Sequence, residues 1–211
     1  MKIVAISDTH GKHNQLELPN GDMLIHAGDV SSRGRKEEVL DFLDWFQLQD
    51  FRYKIFIAGN HDFFFEKAKE EEIQSIIPHN VIYLNDSGVE VEGIQIWGSP
   101  ITPWFFNWAF NRFRGRPINK HWKLIPDTTD ILITHGPPHG ILDMTKTGKK
   151  AGCEKLLERI DLIHPKMSIF GHIHEARGIH KNKHTHFVNA AVLNLRYELV
   201  NQPYVFDWEE M

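Results

Sequence analysis

Two histidines stand two positions apart in the segment SIFGHIHE, residues 168–175. In extended backbone alternate side chains share one face, so His172 and His174 are predicted to point the same way at the mouth of a strand. Imidazole nitrogens bind borderline transition metals, and this pair therefore suggests one part of a metal site. Two unrelated surface histidines would have the same spacing, so the interpretation depends on matching ligands elsewhere in the chain.

Polar residues follow several apolar runs in the same way. The runs KIVAIS, DMLIHAG, YKIFIAG, DILIT and KMSIF are rich in Ile, Val and Phe, as buried strands are. A single Asp or His after a strand is usually a turn residue or a helix cap. Repetition after five runs favours a shared metal site instead. The residues concerned are Asp8, His10, Asp29, Asn60, His61, Asp62, His135, His172 and His174.

Helical patterns lie between some of the predicted strands. Apolar and charged spacing predicts helices over 36–49, 63–76 and 150–163. Residues 81–97 are predicted to form a strand and a hairpin, and 178–208 two or three further strands. This alternation predicts an α/β domain, in which ligands bind at the carboxyl ends of strands. No linker or repeat divides the chain, so we expect a single domain over residues 1–211.

The amino-acid composition argues against several classes of protein. The chain has 211 residues, 41% of them hydrophobic and 25% charged, which is ordinary for a globular protein. Its net charge of -4 argues against stable binding to nucleic acid. The single cysteine, Cys153, fits a reducing compartment, and no run is long enough to span a membrane. With no signal-peptide layout at the N-terminus, we expect a cytoplasmic protein that does not bind membranes.

The strand-exit segments also resemble a known family. DTH, HAGD, AGNHD, THG and GHIH, in this order, are similar to the motifs of the calcineurin-like metallophosphoesterase superfamily. The segments at 97–111, 133–143 and 170–178 resemble its metallophosphoesterase-domain-containing phosphodiesterase branch, found in animals and bacteria. The resemblance covers nearly the whole chain. It implies a four-layer α/β/β/α sandwich with two mixed sheets.

The resemblance further implies two divalent metal ions that share one aspartate. One ion would be held by Asp8, His10, Asp29 and His174. The other would be held by Asp29, Asn60, His135 and His172. Manganese is the expected metal, with iron, zinc, cobalt, nickel or magnesium as alternatives, because mixed nitrogen and oxygen ligands suit several ions.

By the same resemblance, a water bridging both ions attacks phosphorus and His61 donates a proton to the leaving oxygen. In protein phosphatases an aspartate three residues after the bridging aspartate orients that acid. Ser32 stands there in this chain, so Asp62 is the candidate substitute. Arg33 lies where those phosphatases carry a phosphate-binding arginine, although a solvated loop arginine fits the position equally well.

Six aromatic residues crowd the segment PWFFNWAFNRF, residues 103–113, which we call the aromatic segment. One helical stripe cannot bury all of them. Trp104 and Phe105 could stack a nucleobase, a contact worth about 1–3 kcal/mol in single-stranded complexes, and Asn107 could contact phosphate or ribose. The alternative is a hydrophobic covering or a dimer surface. The sequence does not specify an oligomeric state.

These features together predict a dinuclear metal-dependent phosphodiesterase acting on small phosphodiesters, including cyclic nucleotides. A phosphomonoesterase or protein phosphatase is an alternative use of the same site, although Ser32 weakens it. A DNA nuclease is disfavoured by the acidic net charge. A metal-binding adaptor without catalytic activity is the alternative from a different class of protein.

Overall fold

The apolar runs form strands in the computed structural model, which describes residues 1–211. The strands are β1 (Lys2–Ile6), β2 (Met23–Ala27), β3 (Tyr53–Ile57), β4 (Ile82–Tyr83), β5 (Ser87–Val91), β6 (Ile94–Ser99), β7 (Thr102–Pro103), β8 (Asn111–Arg112), β9 (Ile131–Thr134), β10 (Met167–Phe170), β11 (Gly178–Lys181), β12 (His186–Asn189) and β13 (Tyr204–Asp207). The helices are α1 (Lys36–Gln47), α2 (Phe63–Lys67), α3 (Glu70–Ile76), α4 (Arg116–Trp122) and α5 (Glu154–Ile163).

Two large sheets organise these strands. The first has the order β13-β1-β2-β3-β4, and only β13 runs antiparallel to its neighbour. The second has the order β11-β12-β10-β9-β6-β5, with antiparallel pairs at both edges and parallel pairs between them. Strands β7 and β8 form a separate parallel pair. Both large sheets are therefore mixed, as predicted.

Alternation along each strand divides the core into layers. In β1, Ile3 and Ala5 belong to a cluster of 17 buried residues shared with Ile131, Ile133 and other inner residues of the second sheet. The intervening residues belong instead to a cluster of 28 buried residues that includes the apolar faces of α1 and α5. Each central strand is buried on both faces, which explains the continuous apolar runs. The four-layer sandwich is confirmed.

The predicted helix over 63–76 is divided in the structure. Ala68 and Lys69 have extended backbone and separate α2 from α3. Only Phe65 and Ile73 are buried on these two helices, so the charged run offers no continuous apolar stripe to hold one long helix. None of the helices has both the length and the apolar character required to cross a membrane.

Candidate metal centre

The ends of β1, β2 and β3 in one sheet meet the ends of β9 and β10 in the other at a single edge of the sandwich. Within each sheet, backbone hydrogen bonds join neighbouring strand ends: the amide of Asp8 donates to the carbonyl oxygen of Gly28 at 2.9 Å, and that of Gly171 to the carbonyl oxygen of His135 at 3.0 Å. Seven predicted metal ligands gather there, and all except the half-buried His172 are buried. We call them the strand-exit cluster: Asp8, His10, Asp29, Asn60, His135, His172 and His174.

One half of the cluster brings four possible metal ligands close together. Nε2 of His174 lies 3.3 Å from Oδ1 of Asp8 and 3.4 Å from Nε2 of His10. Nε2 of His10 lies 3.6 Å from Oδ2 of Asp29. Two imidazole nitrogens and two carboxylates therefore face one small volume, and Asp8, His10 and His174 have ligand atoms close enough to hold one ion.

The other half is built around His135. Its Nε2 atom lies 3.3 Å from Oδ2 of Asp29 and 3.0 Å from Oδ1 of Asn60. The ring of His172 stands 5.1 Å from the ring of His135, measured between centroids. Because Oδ2 of Asp29 faces both His10 and His135, this one carboxylate is common to the two halves.

The backbone of the cluster is unusual. Asp8, His10, Asp29 and His172 have positive φ angles of 58°, 44°, 55° and 69°. Left-handed backbone of this kind costs non-glycine residues about 1–3 kcal/mol each, and it collects at functional sites. A side chain at position 171 would have no room beside this backbone, because a Cβ on Gly171 would overlap Oδ2 of Asp8.

The expected extended backbone at His172 and His174 is wrong. Strand β10 ends at Phe170, His172 is left-handed, and His174 begins a short 3-10 turn over His174–Ala176. The amide of His172 donates to both carboxylate oxygens of Asp8, at 3.1 and 3.0 Å. This contact turns the chain immediately after the strand, so the two histidines reach different halves of the cluster.

Hydrogen bonds to the backbone orient two of the imidazoles. Nδ1 of His135 lies 2.9 Å from the carbonyl oxygen of Ala27, and Nδ1 of His174 lies 3.1 Å from that of Asn194. Each carbonyl accepts the Nδ1 proton, which leaves Nε2 free to act as a ligand. Backbone partners of this kind are usual behind metal-binding histidines.

The charges of the cluster fit cation binding. Burial would raise the pKa of Asp8 and of Asp29, but His174 beside the first and His135 beside the second lower both below the ordinary range. Burial would lower the pKa of His135 and of His174, but the two carboxylates raise both to about 9. Without metal, two imidazolium ions thus balance two buried carboxylates. Divalent ions would replace those protons.

The pKa values of His10 and His172 are shifted in the opposite direction. Burial lowers the pKa of His10 to about 4 and that of His172 to about 3. Both rings are therefore neutral near pH 7, as a metal ligand must be. Nδ1 of His10 is buried with no hydrogen-bond partner. The donor set fits two divalent ions.

His61 stands at the rim of the cluster. Its amide donates to Oδ1 of Asp29 at 2.8 Å, and its Nδ1 atom lies 2.8 Å from the backbone carbonyl oxygen of Ser32. The indole of Trp108 stacks on its ring at a centroid distance of 4.3 Å. Position 32 therefore does supply the partner of His61, but through a carbonyl oxygen instead of a side chain.

Asp62 has another role. Its buried carboxylate accepts hydrogen bonds from the amides of Val30 at 3.1 Å, Ser31 at 2.9 Å and Gly59 at 2.7 Å, and from the hydroxyl of Ser31 at 2.5 Å. These bonds tie the loop after β2 to the loop after β3. The expectation that Asp62 orients His61 is wrong, because all of its acceptor capacity is used by these loops.

The predicted substrate contacts separate into two places. Arg33 is exposed and lines a surface cleft with Lys36 and Lys67, apart from the strand-exit cluster. Trp104 and Phe105 line a second cleft that includes His172, and the Phe105 ring lies 5.0 Å from the His172 ring. Asn107 is exposed and lines neither cleft.

Sequence reasoning missed two aromatic neighbours of the cluster. The ring of Tyr197 lies 4.9 Å from that of His10 and 5.5 Å from that of His174. Trp108 was recognisable only as one of the six aromatic residues in its segment. Tyr197 lies in NLRYELV, residues 194–200, where no spacing or motif marks it as a site residue.

The chain is similar to known proteins over nearly its whole length. Residues 1–176 match the family described as calcineurin-like phosphoesterase. Metallophosphoesterase domain-containing protein 1 of Homo sapiens is 40% identical over 230 residues, covering 98% of this chain and 70% of that protein. UPF0046 protein K07C11.7 of Caenorhabditis elegans is 37% identical, covering 98% of this chain and 74% of that protein.

Solved structures share the fold at low sequence identity. TT1561 of Thermus thermophilus superposes with a TM-score of 0.61 at 13% identity, and the match covers 98% of both chains. Phosphopantetheinyl hydrolase from Mycobacterium tuberculosis superposes with a TM-score of 0.58 at 15% identity, covering 93% of this chain and 90% of that one. The matched residues and the close relatives show that this chain belongs to the calcineurin-like phosphoesterase family.

Proposed function

We propose that the protein is a dinuclear metal-dependent phosphodiesterase acting on small phosphodiesters, including cyclic nucleotides. The observation that carries the proposal is the position of Asp29. Its Oδ2 atom faces Nε2 of His10 at 3.6 Å and Nε2 of His135 at 3.3 Å, so one carboxylate serves two adjacent sets of donors. A carboxylate shared between two such sets can hold two metal ions close together, as two-metal catalysis needs.

The strand-exit cluster divides into two proposed ligand sets. Asp8, His10, Asp29 and His174 would hold one ion, and Asp29, Asn60, His135 and His172 the other. Manganese is the proposed metal, and the mixed oxygen and nitrogen ligands would suit iron, zinc, cobalt or nickel as well. When bound, the ions supply Lewis acidity and activate water for attack on phosphorus.

His61 is the proposed general acid. The Ser32 carbonyl, 2.8 Å from Nδ1, orients the ring so that Nε2 is free to give a proton to the leaving oxygen. The Trp108 indole, stacked at 4.3 Å, supports the same orientation by covering one face of the ring. His61 is half-buried, and a substrate can therefore reach it.

Residues 1–211 are proposed to act as one domain. The donors come from the first sheet through Asp8, His10, Asp29 and Asn60, and from the second through His135, His172 and His174. Neither sheet supplies a complete ligand set alone. With the ligands divided in this way, catalysis depends on the two sheets remaining packed through the 17 buried hydrophobic residues between them.

Hydrolysis of bis-p-nitrophenyl phosphate and of p-nitrophenyl phosphate tests the proposal. The protein is chelated, Mn²⁺ is restored in steps, and bound metal is counted at each step. We expect turnover to require about two ions per chain and kcat/KM to favour the diester. A preference for the monoester would contradict the phosphodiesterase part. Two bound ions with no turnover of either ester would favour the adaptor.

A further inference from the structure

A cleft of about 370 Å³ has His172, a residue of the strand-exit cluster, as one of its lining residues. Trp104, Phe105 and Phe106 form much of its lining, together with Ile173 and the loop around Lys149. The side chain of Trp104 is 49% exposed and that of Phe106 is 76% exposed. A large exposed aromatic surface next to a buried polar cluster is typical of a site that binds a ligand.

The aromatic wall of this cleft is held in place by the backbone. Nδ2 of Asn111 donates to the carbonyl oxygens of Phe105, at 2.8 Å, and Phe106, at 3.3 Å. The amide of Ala109 donates to the carbonyl oxygen of Asn60 at 3.1 Å. The segment is therefore attached directly to a residue of the strand-exit cluster, so the wall has a set position relative to the proposed reaction centre.

Another part of the lining is also held in place by hydrogen bonds within the chain. The guanidinium of Arg114 donates to the carbonyl oxygens of Gly152 and Ala151, at 2.8 Å each, and to the carboxylate of Glu154 at 2.6 Å. Its charge is thus paired with Glu154, and three of its five N–H donors are used within the chain. The rings of Trp104, Phe105 and Phe106 offer flat apolar faces in the same cleft, which suit a planar aromatic ring.

The position of the cleft indicates which part of a substrate it would receive. His61, the proposed acid, must face the leaving oxygen. The Phe105 ring lies 6.5 Å from that of Trp108, which covers His61, and 5.0 Å from that of His172. Phe105 thus lies between the Trp108 indole, which covers His61, and His172, which lines the cleft. A phosphodiester has two alcohol groups, and if one leaves towards His61, the other must point elsewhere.

We propose that this cleft binds the alcohol group that stays on phosphorus, and that this retained group carries an aromatic ring such as a nucleobase. The inference rests on the proposed phosphodiesterase function and adds the binding site of the retained group and its aromatic character. Stacking on Trp104 and Phe106 would make the enzyme selective for diesters with an aromatic retained group. A monoester has no retained alcohol and gains nothing from the cleft.

The test keeps the leaving group constant and varies the retained one. Methyl p-nitrophenyl phosphate, phenyl p-nitrophenyl phosphate and thymidine 5′-(p-nitrophenyl phosphate) all release p-nitrophenolate. The readout is the ratio of kcat/KM for each aromatic ester to kcat/KM for the methyl ester. We expect this ratio to fall about ten-fold in Trp104→Ala and further in the Trp104→Ala/Phe106→Ala double variant, from the usual strength of base–aromatic stacking.

The matched control is Leu162→Ala, which removes another large exposed side chain, 69% exposed, from α5, a helix that contributes nothing to the cleft lining. It should leave the ratio unchanged. Circular dichroism and the Tm of each variant check folding.

An unchanged ratio in the double variant, with all three esters still hydrolysed, would overturn the cleft assignment without contradicting the proposed phosphodiesterase function. Loss of the proposed function itself would appear as no turnover of any ester by metal-loaded wild type.

A binding measurement gives a readout that does not depend on turnover. Adenosine is titrated calorimetrically into chelated protein, so that the metal centre contributes nothing. The proposal expects Kd to rise about ten-fold in the double variant relative to wild type and Leu162→Ala. Equal Kd values in all three proteins would contradict stacking in the cleft.

Discussion

The strand-exit cluster and the aromatic segment lie side by side but are built in opposite ways. All side chains of the cluster except the half-buried His172 are buried, and four of its residues have left-handed backbone. The aromatic segment exposes much of Trp104 and Phe106, and its backbone is held by Asn111 and by the carbonyl of Asn60. Groups proposed to bind cations need fixed positions, whereas groups proposed to select a ligand must stay accessible to it.

The largest expected effect lies in the cluster. Asp29→Ala removes the carboxylate common to both halves, and we expect kcat/KM for bis-p-nitrophenyl phosphate to fall about 10³-fold, equivalent to about 4 kcal/mol of transition-state stabilisation. The measurement is a rate assay with a metal count on the same sample. Asp161→Ala, at an exposed position on α5, is the control. Full activity with two bound ions in Asp29→Ala would refute the division into two ligand sets.

His61 lies on the boundary between the two regions, since it bonds to Asp29 and stacks on Trp108. Removing it should matter most when the leaving oxygen needs a proton. We expect His61→Ala to lower kcat about 10²-fold for a 2′,3′-cyclic nucleotide, whose leaving oxygen is a basic alkoxide, and much less for a p-nitrophenyl ester. Metal content should stay at the wild-type value. An equal loss with both leaving groups would argue that His61 has no role as an acid.

Trp108 tests whether the aromatic segment also positions catalytic groups. Trp108→Ala removes the indole that stacks on His61 at 4.3 Å, so we expect kcat for the cyclic nucleotide to fall about ten-fold with little change in KM. Trp108→Phe, which keeps an aromatic face, should recover most of the rate. If KM rises instead while kcat is retained, Trp108 binds substrate and does not position the acid.

A smaller effect is expected on the stability of the protein, through the buried residue His26. Burial lowers the pKa of His26 to about 3, well below its ordinary 6.5, and its Nε2 atom lies 2.9 Å from the hydroxyl of Thr9. The unfolded chain binds a proton at His26 below about pH 6.5, whereas the folded chain does not until about pH 3. Its contribution to stability is therefore complete above pH 6.5 and decreases as the pH falls towards 3.

Chemical denaturation at pH 7 and pH 5 measures this contribution. At about 1.4 kcal/mol per pH unit, the free energy of unfolding should lose about 2 kcal/mol more in wild type than in His26→Gln between these values. His180→Gln, at an exposed position, should behave as wild type does. Identical pH dependence in wild type and His26→Gln would mean that His26 is protonated inside the folded protein.

Much of the fold could be predicted because its signals are local. Each central strand is buried on both faces and reads as an unbroken apolar run, and β1, β2, β3, β9 and β10 all lie within their predicted ranges. The helix over 63–76 was predicted wrongly because its charged pattern did not reveal that only Phe65 and Ile73 would find burial. Helix propensity alone does not predict the position of a break between two helices when that break depends on tertiary contacts.

The sequence by itself determined the kinds of donor groups, their order along the chain and their placement after strands. Only the tertiary structure decided which donors face one another, because the pairs are distant in sequence: His10 and His174, 164 residues apart, lie 3.4 Å apart through their Nε2 atoms. It also decided that the Ser32 carbonyl orients His61, and that Asp62 joins two loops. These roles depend on backbone geometry and on contacts between sheets, which no local pattern of residue types encodes.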